Sequence, residues 1–436
     1  METWREYKVM QLQKEGILLV EDGNHGESRP RTEEFGKGDV AFIRATDMDA
    51  GRVLFESAAR INTIARERIR KGIGSGGDVL LSHKGTVGKL AFVPMNAPQF
   101  VCSPQTTFWR SLDQERLDRR YLYYYLCSEE FTQQLASRKG ETDMADYVSL
   151  TAQRDLTVLI PPIMTQRAIA GILGTLDDKI VLNRKMNRTL ESMARAIFRS
   201  WFVDFEPVSA KRDNRNPVGM DDAIAALFPS HFRETAMGPI PTGWEPGNTA
   251  DIARYMNGKN FTKNATGTGR MVVRIAELNS GLSGSTIYNE IEADPQNTAF
   301  PGDLLFSWSG SLDVYRWHRN EALVNQHIFK VLCDEYPQWF VHFHLQEAMP
   351  FFQGVAADKA TTMGHIKREH LSQPDVALPP AELIAAANRI IQPMYDRMHR
   401  SERQILSLVA QRDTLLSQLL SGELQVGQTE KIIGEA

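Results

Sequence analysis

The chain has 436 residues, 42% of them hydrophobic and 24% charged, with a formal net charge of −4. Those values describe a globular protein with room for two or three cored domains, and no run of about 18 apolar residues is present, so no membrane-spanning helix is expected. The opening METWREYKVMQLQKEG lacks the apolar core of a signal peptide, and Cys102, Cys127 and Cys333 stand far apart in apolar or aromatic settings. They read as small buried hydrophobes in a reducing cytoplasm, not as a disulfide framework.

Residues 1–160 read as strands joined by turns. GDVAFIRATDMDAG (38–51) and GDVLLSHKGTVGKLAFV (77–93) are short β-rich runs punctuated by Gly and Asp, and VCSPQTTFWRS (101–111) is read as a further strand. Between them RINTIARERIRK (60–71) carries five cations and one anion, a solvated face or a surface that tracks phosphates. RYLYYYLCS (120–128) predicts a helix on the sheet, its tyrosines core rather than base-stacking groups, and GETDMADYVSL (140–150) an exposed loop.

Residues 161–205 then form a heptad seam behind Pro161-Pro162, a pair suited to a helix start. Ile169, Leu173, Leu176, Ile180, Asn183, Asn187, Leu190, Ala194, Ile197 and Trp201 alternate by threes and fours. This spacing predicts a long helix packed lengthwise on a partner, with the two asparagines setting register. Residues 206–245 shift to Pro, Asn, Asp and Gly and read as a connector with one short helical patch.

From 246 to 378 the first pattern is replayed. FIRATDMDAG (42–51) aligns with VVRIAELNSG (272–281), GDVLLSHKGTVG with GDLLFSWSGSLD (302–313), QTTFW (105–109) with QHIFK (326–330), and YLYYYL (121–126) with FVHFHL (340–345). Pro379-Pro380 opens a second seam over 379–424: Ile384, Ala387, Ile391, Met394, Met398, Ser401, Ile405, Leu408, Arg412, Leu415, Leu419. Residues 425–436 are a tail. Two modules, each followed by a heptad helix, predict a duplicated unit closed on itself about a pseudo-two-fold axis, with antiparallel helices.

No catalytic centre is evident. GIGSGG (72–77) precedes a strand, whereas a phosphate-cradling loop opens a helix. His342 with His344, and His365 with His370, lack further ligands at metal spacing, so no metal site is expected. A binding scaffold remains. The seam from Ile169 to Trp201 spans roughly 48 Å at about 1.5 Å per residue, on the order of 14 base pairs at about 3.4 Å each. Twin modules so spaced suit a split site on DNA.

The pattern PP…Q..IA..L…D.KI.LNR..N.TLE..A..IF..WF, spelled by residues 161–202, resembles the central region of specificity subunits of type I restriction–modification enzymes. The GDVLLSHKGTVGK block, the tail QRDTLLSQLLSGEL (411–424) and the two-copy layout resemble that family too. The second helix is more degenerate, and GETDMADYV (140–148) stands where the second module has ATTMGHIK (360–367). The resemblance implies an α+β chain: two related mixed α/β target-recognition domains (1–160 and 246–378) separated by an antiparallel two-helix coiled coil. It implies a non-catalytic subunit that reads double-stranded DNA and binds two methyltransferase (modification) subunits, joined by motor-nuclease (restriction) subunits. S-adenosylmethionine, ATP and magnesium would belong to those partners.

Readout needs donors and acceptors on loops beside a rigid platform, with cations on flanking phosphates. The first-module candidates are Ser82, His83, Lys84, Thr86 and Lys89, the phosphate group Arg60, Arg66, Arg68, Arg70 and Lys71, and the loop Thr142, Asp143 and Met144. In the second they are Lys259, Lys263, Ser307, Trp308, Ser309, Thr361, Thr362, Met363, His365 and Lys367. Arg44 and Arg274 each precede a carboxylate by three residues, so a local ion pair competes with DNA contact. Arg184, Lys185, Arg188 and Arg199 lie off the seam, open to a phosphate or a partner subunit. The competing reading is a coiled-coil adaptor that never touches DNA.

Overall fold

The computed structural model describes residues 4–139, 146–357 and 364–424. The chain divides into two compact units, Met1–Lys179 with Leu408–Ala436, and Ile180–Ser407.

In the first unit, alternating apolar residues build a six-stranded sheet in the order Leu18–Asp22, Thr106–Ser111, Val79–Ser82, Leu90–Phe92, Gly51–Val53, Met48–Asp49. A second sheet sets Phe35–Ile43 between Ala59–Ile61 and, in parallel, Phe100–Cys102. Arg5–Lys8 pairs with Thr157–Ile160, the strand that leads into the first long helix. The run VCSPQTTFWRS is therefore two strands in two sheets, not one, because the chain turns at Ser103–Gln105. Helix Arg119–Leu126 lays its tyrosines into the core, where Tyr121, Tyr123, Tyr124 and Tyr125 are all buried. Burial pushes their hydroxyls well above the usual range.

The second unit repeats this plan. Arg254–Asn257, Ile328–Leu332, Leu304–Ser307 and Asp313–Arg316 make the central sheet. Arg270–Val273 lies parallel to Ala322–Val324 in the second sheet, and Glu245–Asn248 pairs with Asp375–Leu378 ahead of the second long helix. Arg44 and Arg274 prove to be local: each backbone N–H donates to the carboxylate three residues on, and each guanidinium pairs with it, at 3.4 Å to Asp47 and 2.6 Å to Glu277.

The equivalence is sharpest in the backbone. Thr106 faces Ser82, and Ile328 faces Ser307. The ungapped match of QTTFW with QHIFK is thus one residue out of register, and the counterpart of Gln105 is His327. A single-residue slip exchanges the two faces of a strand, and the structure corrects it: Trp109 and Val331, opposite Val79 and Leu304, are both core.

Both long helices form, Ile163–Phe202 and Ala381–Ser421. Their seams are interior: Ile169, Leu173, Ile180, Ala194, Trp201, Ala387, Ile391, Ile405, Leu408 and Leu419 are buried, while Leu176, Leu190, Ile197, Met394, Met398 and Leu415 are half-buried. Within the second unit Asn183 donates to Gln404 at 3.0 Å and Asn187 to Glu402 at 2.6 Å. Partner numbers fall as the first helix advances, so the pair is antiparallel. Within the first unit Arg412, the cation in the second seam, meets Asp177 at 2.8 Å. Each unit takes in part of both helices: Ile169, Leu173 and Leu419 belong to the core of the first, and Ala194, Phe198, Ala387 and Ile391 to that of the second.

The stretch 206–245 is no loose connector. It carries helices Glu206–Arg212 and Asp222–Ala226 and a hairpin, Phe232–Thr235 with Gly238–Pro241. Val208, Phe228, Ile240 and Trp244 are buried against Trp201 and Phe202 at the helix end. Its turn-rich composition concealed a few large apolar residues, each worth about 1.5–3 kcal/mol on burial.

The same unit holds an array of histidines. His318 Nδ1 lies 3.0 Å from His399 Nδ1 on the second long helix, His342 Nδ1 is 3.0 Å from the Tyr395 hydroxyl, and Arg316 covers the Tyr395 ring. His344 packs edge-on against Phe198 and Phe340. Burial holds His318, His342 and His344 down to about 3. Their folded values lie below the unfolded value of about 6.5, so their stabilisation is full above about 6.5 and is lost as pH falls toward about 3. His344→Phe should move the acid unfolding midpoint of this unit down, followed by tryptophan fluorescence, with little change above about pH 6.5. Gly258 tests the backbone: a Cβ there would lie 2.2 Å from the Asn325 carbonyl oxygen. Gly258→Ala should cost about 1–3 kcal/mol, read as a fall in the denaturant midpoint.

Candidate nucleic-acid interface

At one end of each central sheet the strand-end loops tie together in the same way. In the first unit the N–H of Gly23 donates to Thr106 O (2.9 Å), of Asn24 to Cys102 O (2.7 Å), and of Ser103 to Ile43 O (2.8 Å). His83 N–H donates to Gln105 O (2.9 Å), Val148 N–H to His83 O (2.9 Å) and Gly85 N–H to Asp146 O (3.0 Å). The second unit repeats all six: Gly258 to Ile328 (3.0 Å), Lys259 to Val324 (3.0 Å), Asn325 to Val273 (3.1 Å), Trp308 to His327 (3.2 Å), Ile366 to Trp308 (3.0 Å) and Gly310 to Gly364 (2.8 Å). Gly23 and Gly258 are needed because a Cβ would meet the backbone of the facing turn at 1.8 and 2.2 Å. Each unit thereby presents four neighbouring segments as a rigid rim.

The structure sorts the candidates. Lys84 and Thr86 are exposed on the first rim, and so is Lys89, although its ammonium donates to the Ala45 and Met48 carbonyls at 3.4 and 3.5 Å. Arg70 and Lys71 are also exposed and reach it through Gly72, whose carbonyl accepts from Cys102 N–H at 2.8 Å. Arg66 is half-buried. Arg60 is turned to the backbone, donating to Asp39 O and Phe55 O. Arg68 is spent internally, its guanidinium gripping Glu34 at 2.7 and 2.5 Å and holding that carboxyl down to about 2.

Three expected contacts prove to be internal. The Ser82 hydroxyl, fully buried, accepts Lys89 N–H at 2.8 Å, and Ser307 likewise accepts Asp313 N–H at 3.0 Å, so each closes its own turn. The buried His83 ring sits between Val148 O at 3.0 Å and Pro104 O at 3.2 Å, 5.4 Å from the Tyr147 ring. All three shape the rim and offer nothing to a ligand beyond it. Thr142, Asp143, Met144, Thr361, Thr362 and Met363 lie outside the described residues, although their flanks, Asp146–Val148 and Gly364–Ile366, form the fourth rim segment.

On the second rim Trp308 is half-buried, with ring centroids 5.5 Å from His327 and 6.5 Å from His365. Ser309 is buried and bridged through its backbone to His365. Lys259, Lys263 and Lys367 are exposed. Lys259 is 3.4 Å from Asp294 and Lys367 3.5 Å from Glu369, both surface pairs of little worth, which a phosphate could replace. The turns Ser103–Gln105 and Asn325–His327, and Tyr147, were not among the sequence candidates. The QTTF and QHIF blocks carried that signal, but read as strand interiors they hid the turns at their starts.

Among the described residues no three His, Cys, Asp or Glu side chains are grouped to hold a metal ion, and no helix is long and apolar enough to cross a membrane.

A family model, the type I restriction modification DNA specificity domain, matches residues 20–192. Over 428 residues the chain is 24% identical to the type I restriction enzyme MjaIX specificity subunit of Methanocaldococcus jannaschii, covering 92% of this chain and 91% of that one. It is 22% identical over 442 residues to the HindI specificity subunit of Haemophilus influenzae, covering 88% and 94% respectively. The crystal structure of the type I restriction–modification S subunit from M. genitalium shares the fold, with a TM-score of 0.54 at 13% identity over 96% of each chain. Over both modules and both long helices the two relatives run along this chain, and the family model covers the first module and most of the first long helix; the chain is similar throughout to specificity subunits of type I restriction–modification enzymes, as the helix signature suggested.

Proposed function

We propose that each unit reads one half of a bipartite site on duplex DNA, and that the helix pair sets the distance between the halves and docks methyltransferase subunits. The observation that carries this reading is the rim wired identically in both units, with exposed lysines on each. One platform used twice with different side chains suits two different half-sites. Lys84, Lys89, Arg70 and Lys71 serve phosphates in the first half, and Lys259, Lys263 and Lys367 in the second; Thr86, Ser309 and His365 sit among them. Chemistry is left to partners: methyltransferase subunits with S-adenosylmethionine, and motor-nuclease subunits with ATP and magnesium. This chain supplies recognition and no catalytic group.

With a cognate methyltransferase, the paired variant Lys84→Ala, Lys89→Ala should weaken binding uniformly across sequences. It should also flatten the slope of log affinity against log salt by about two. A titration with no sequence preference and no salt dependence would instead support the adaptor reading. Inserting one heptad in both helices lengthens the pair by roughly 10 Å, so a methylation map should show the spacer grown by about three base pairs. An unchanged spacer would refute the ruler.

A further inference from the structure

The second rim holds hydrogen-bonding capacity that the fold does not use. Asn325 Oδ1, Gln326 Oε1 and His327 Nδ1, on consecutive residues of one turn, are buried atoms without a partner, as is Trp308 Nε1 beside them. Asn325 is itself 6% exposed, and the Trp308 and His327 rings are 5.5 Å apart. Burying unpaired polar atoms is costly, and four in one place exceed what the turn needs. Its backbone is already closed by Ile328 N–H to Asn325 O (3.1 Å) and by Trp308 N–H to His327 O.

The first unit shows the alternative. Its equivalent turn is Ser103–Pro104–Gln105. Ser103 Oγ accepts Gln105 N–H at 3.4 Å, Pro104 brings no polar side chain, and Gln105 is exposed. His83, in the place of Trp308, has both ring nitrogens on backbone carbonyls. The atoms near that rim without a hydrogen-bond partner, Asp22 Oδ1 (4.0 Å from His83 Nε2) and Asn24 Oδ1, lie at and just past the end of strand Leu18–Asp22 and not on the turn. The same closed backbone thus carries a turn without unpaired buried side-chain atoms in one unit and a turn with three of them in the other.

We propose that the turn Asn325–Gln326–His327, with Trp308, is the base-reading element of the second unit; this rests on the half-site reading above. Acceptors on Asn325 and Gln326, the Trp308 donor and the His327 ring match the mixed donor and acceptor pattern of base edges in the major groove. A glutamine amide, presenting both kinds of group together, suits adenine. Sequence choice in the second half then resides in a turn with no formal charge beyond its imidazole, while the lysines around it supply affinity.

The test uses the full chain with its cognate methyltransferase on a DNA library randomised in both halves, comparing Gln326→Ala, His327→Ala and Trp308→Phe with Lys263→Ala. The turn variants should relax preference at one or two positions of the second half, by roughly 5- to 150-fold at each. The first half and the salt slope should stay unchanged. Lys263→Ala should weaken all sequences alike. Gln326→Ala, which trims a half-buried side chain, guards against misfolding, checked by its thermal midpoint. Unaltered preference in the second half with Gln326→Ala and His327→Ala, both folded, would overturn the assignment while leaving the half-site reading intact. A wild-type complex without a two-part target would remove both.

Discussion

Neither unit closes its core without both long helices. In the first, Ile169, Leu173, Leu415 and Leu419 lie against the tyrosine helix and the central sheet. In the second, Phe198, Trp201, Ala387 and Ile391 pack with Phe340, Phe343 and Trp339. Within each unit the helix segments are therefore interior structure. Polar links tie them further: Tyr124 to Asp177 and Arg120 to Asp178 in the first unit, and Arg316 over Tyr395 in the second. A shift of either helix must disturb a sheet packed at native density, which resists continuous deformation.

The loops at the sheet ends are held by backbone bonds to neighbouring strand ends, and by glycines that let one turn touch the next. Side chains are then free to vary without loss of scaffold, as the exchange of His83 for Trp308 and of Pro104 for Gln326 illustrates. One of these positions is closed on protein carbonyls, and the other keeps unmet polar groups. A duplicated recognition platform needs this separation of duties, with backbone for shape and side chains for choice.

Electrostatics follow the same division. Of the basic run, Arg60 and Arg68 are consumed by backbone carbonyls and by Glu34, which leaves Arg70 and Lys71 exposed beside the rim. The net charge of −4 therefore says little about the binding face. The buried histidines of the second unit belong to packing: His318, just past strand Asp313–Arg316, and His342, on helix Gln338–Ala357, reach the second long helix, and burial holds the pKa of each down.

The sequence alone determined the duplicated plan, the two long helices and the family resemblance, because these rest on periodic features: a heptad spacing, repeated Gly-Asp strand starts, a doubled proline. Such signals survive without knowledge of what they pack against. It could not reveal that residues 206–245 send side chains into the core, since Phe228 and Trp244 find partners only in three dimensions. Nor could it separate Ser82 and Ser307, which close turns, from Lys84 and Thr86, which face outward, because neighbours in sequence take opposite sides at a strand end. The one-residue slip between QTTFW and QHIFK arose likewise, since identity favoured one register and hydrogen bonding another. Tertiary structure alone decided which polar groups are already satisfied. A hydrogen bond depends on where its partner lies in space, and for Gln105 and Gln326, equally polar on paper, those surroundings differ.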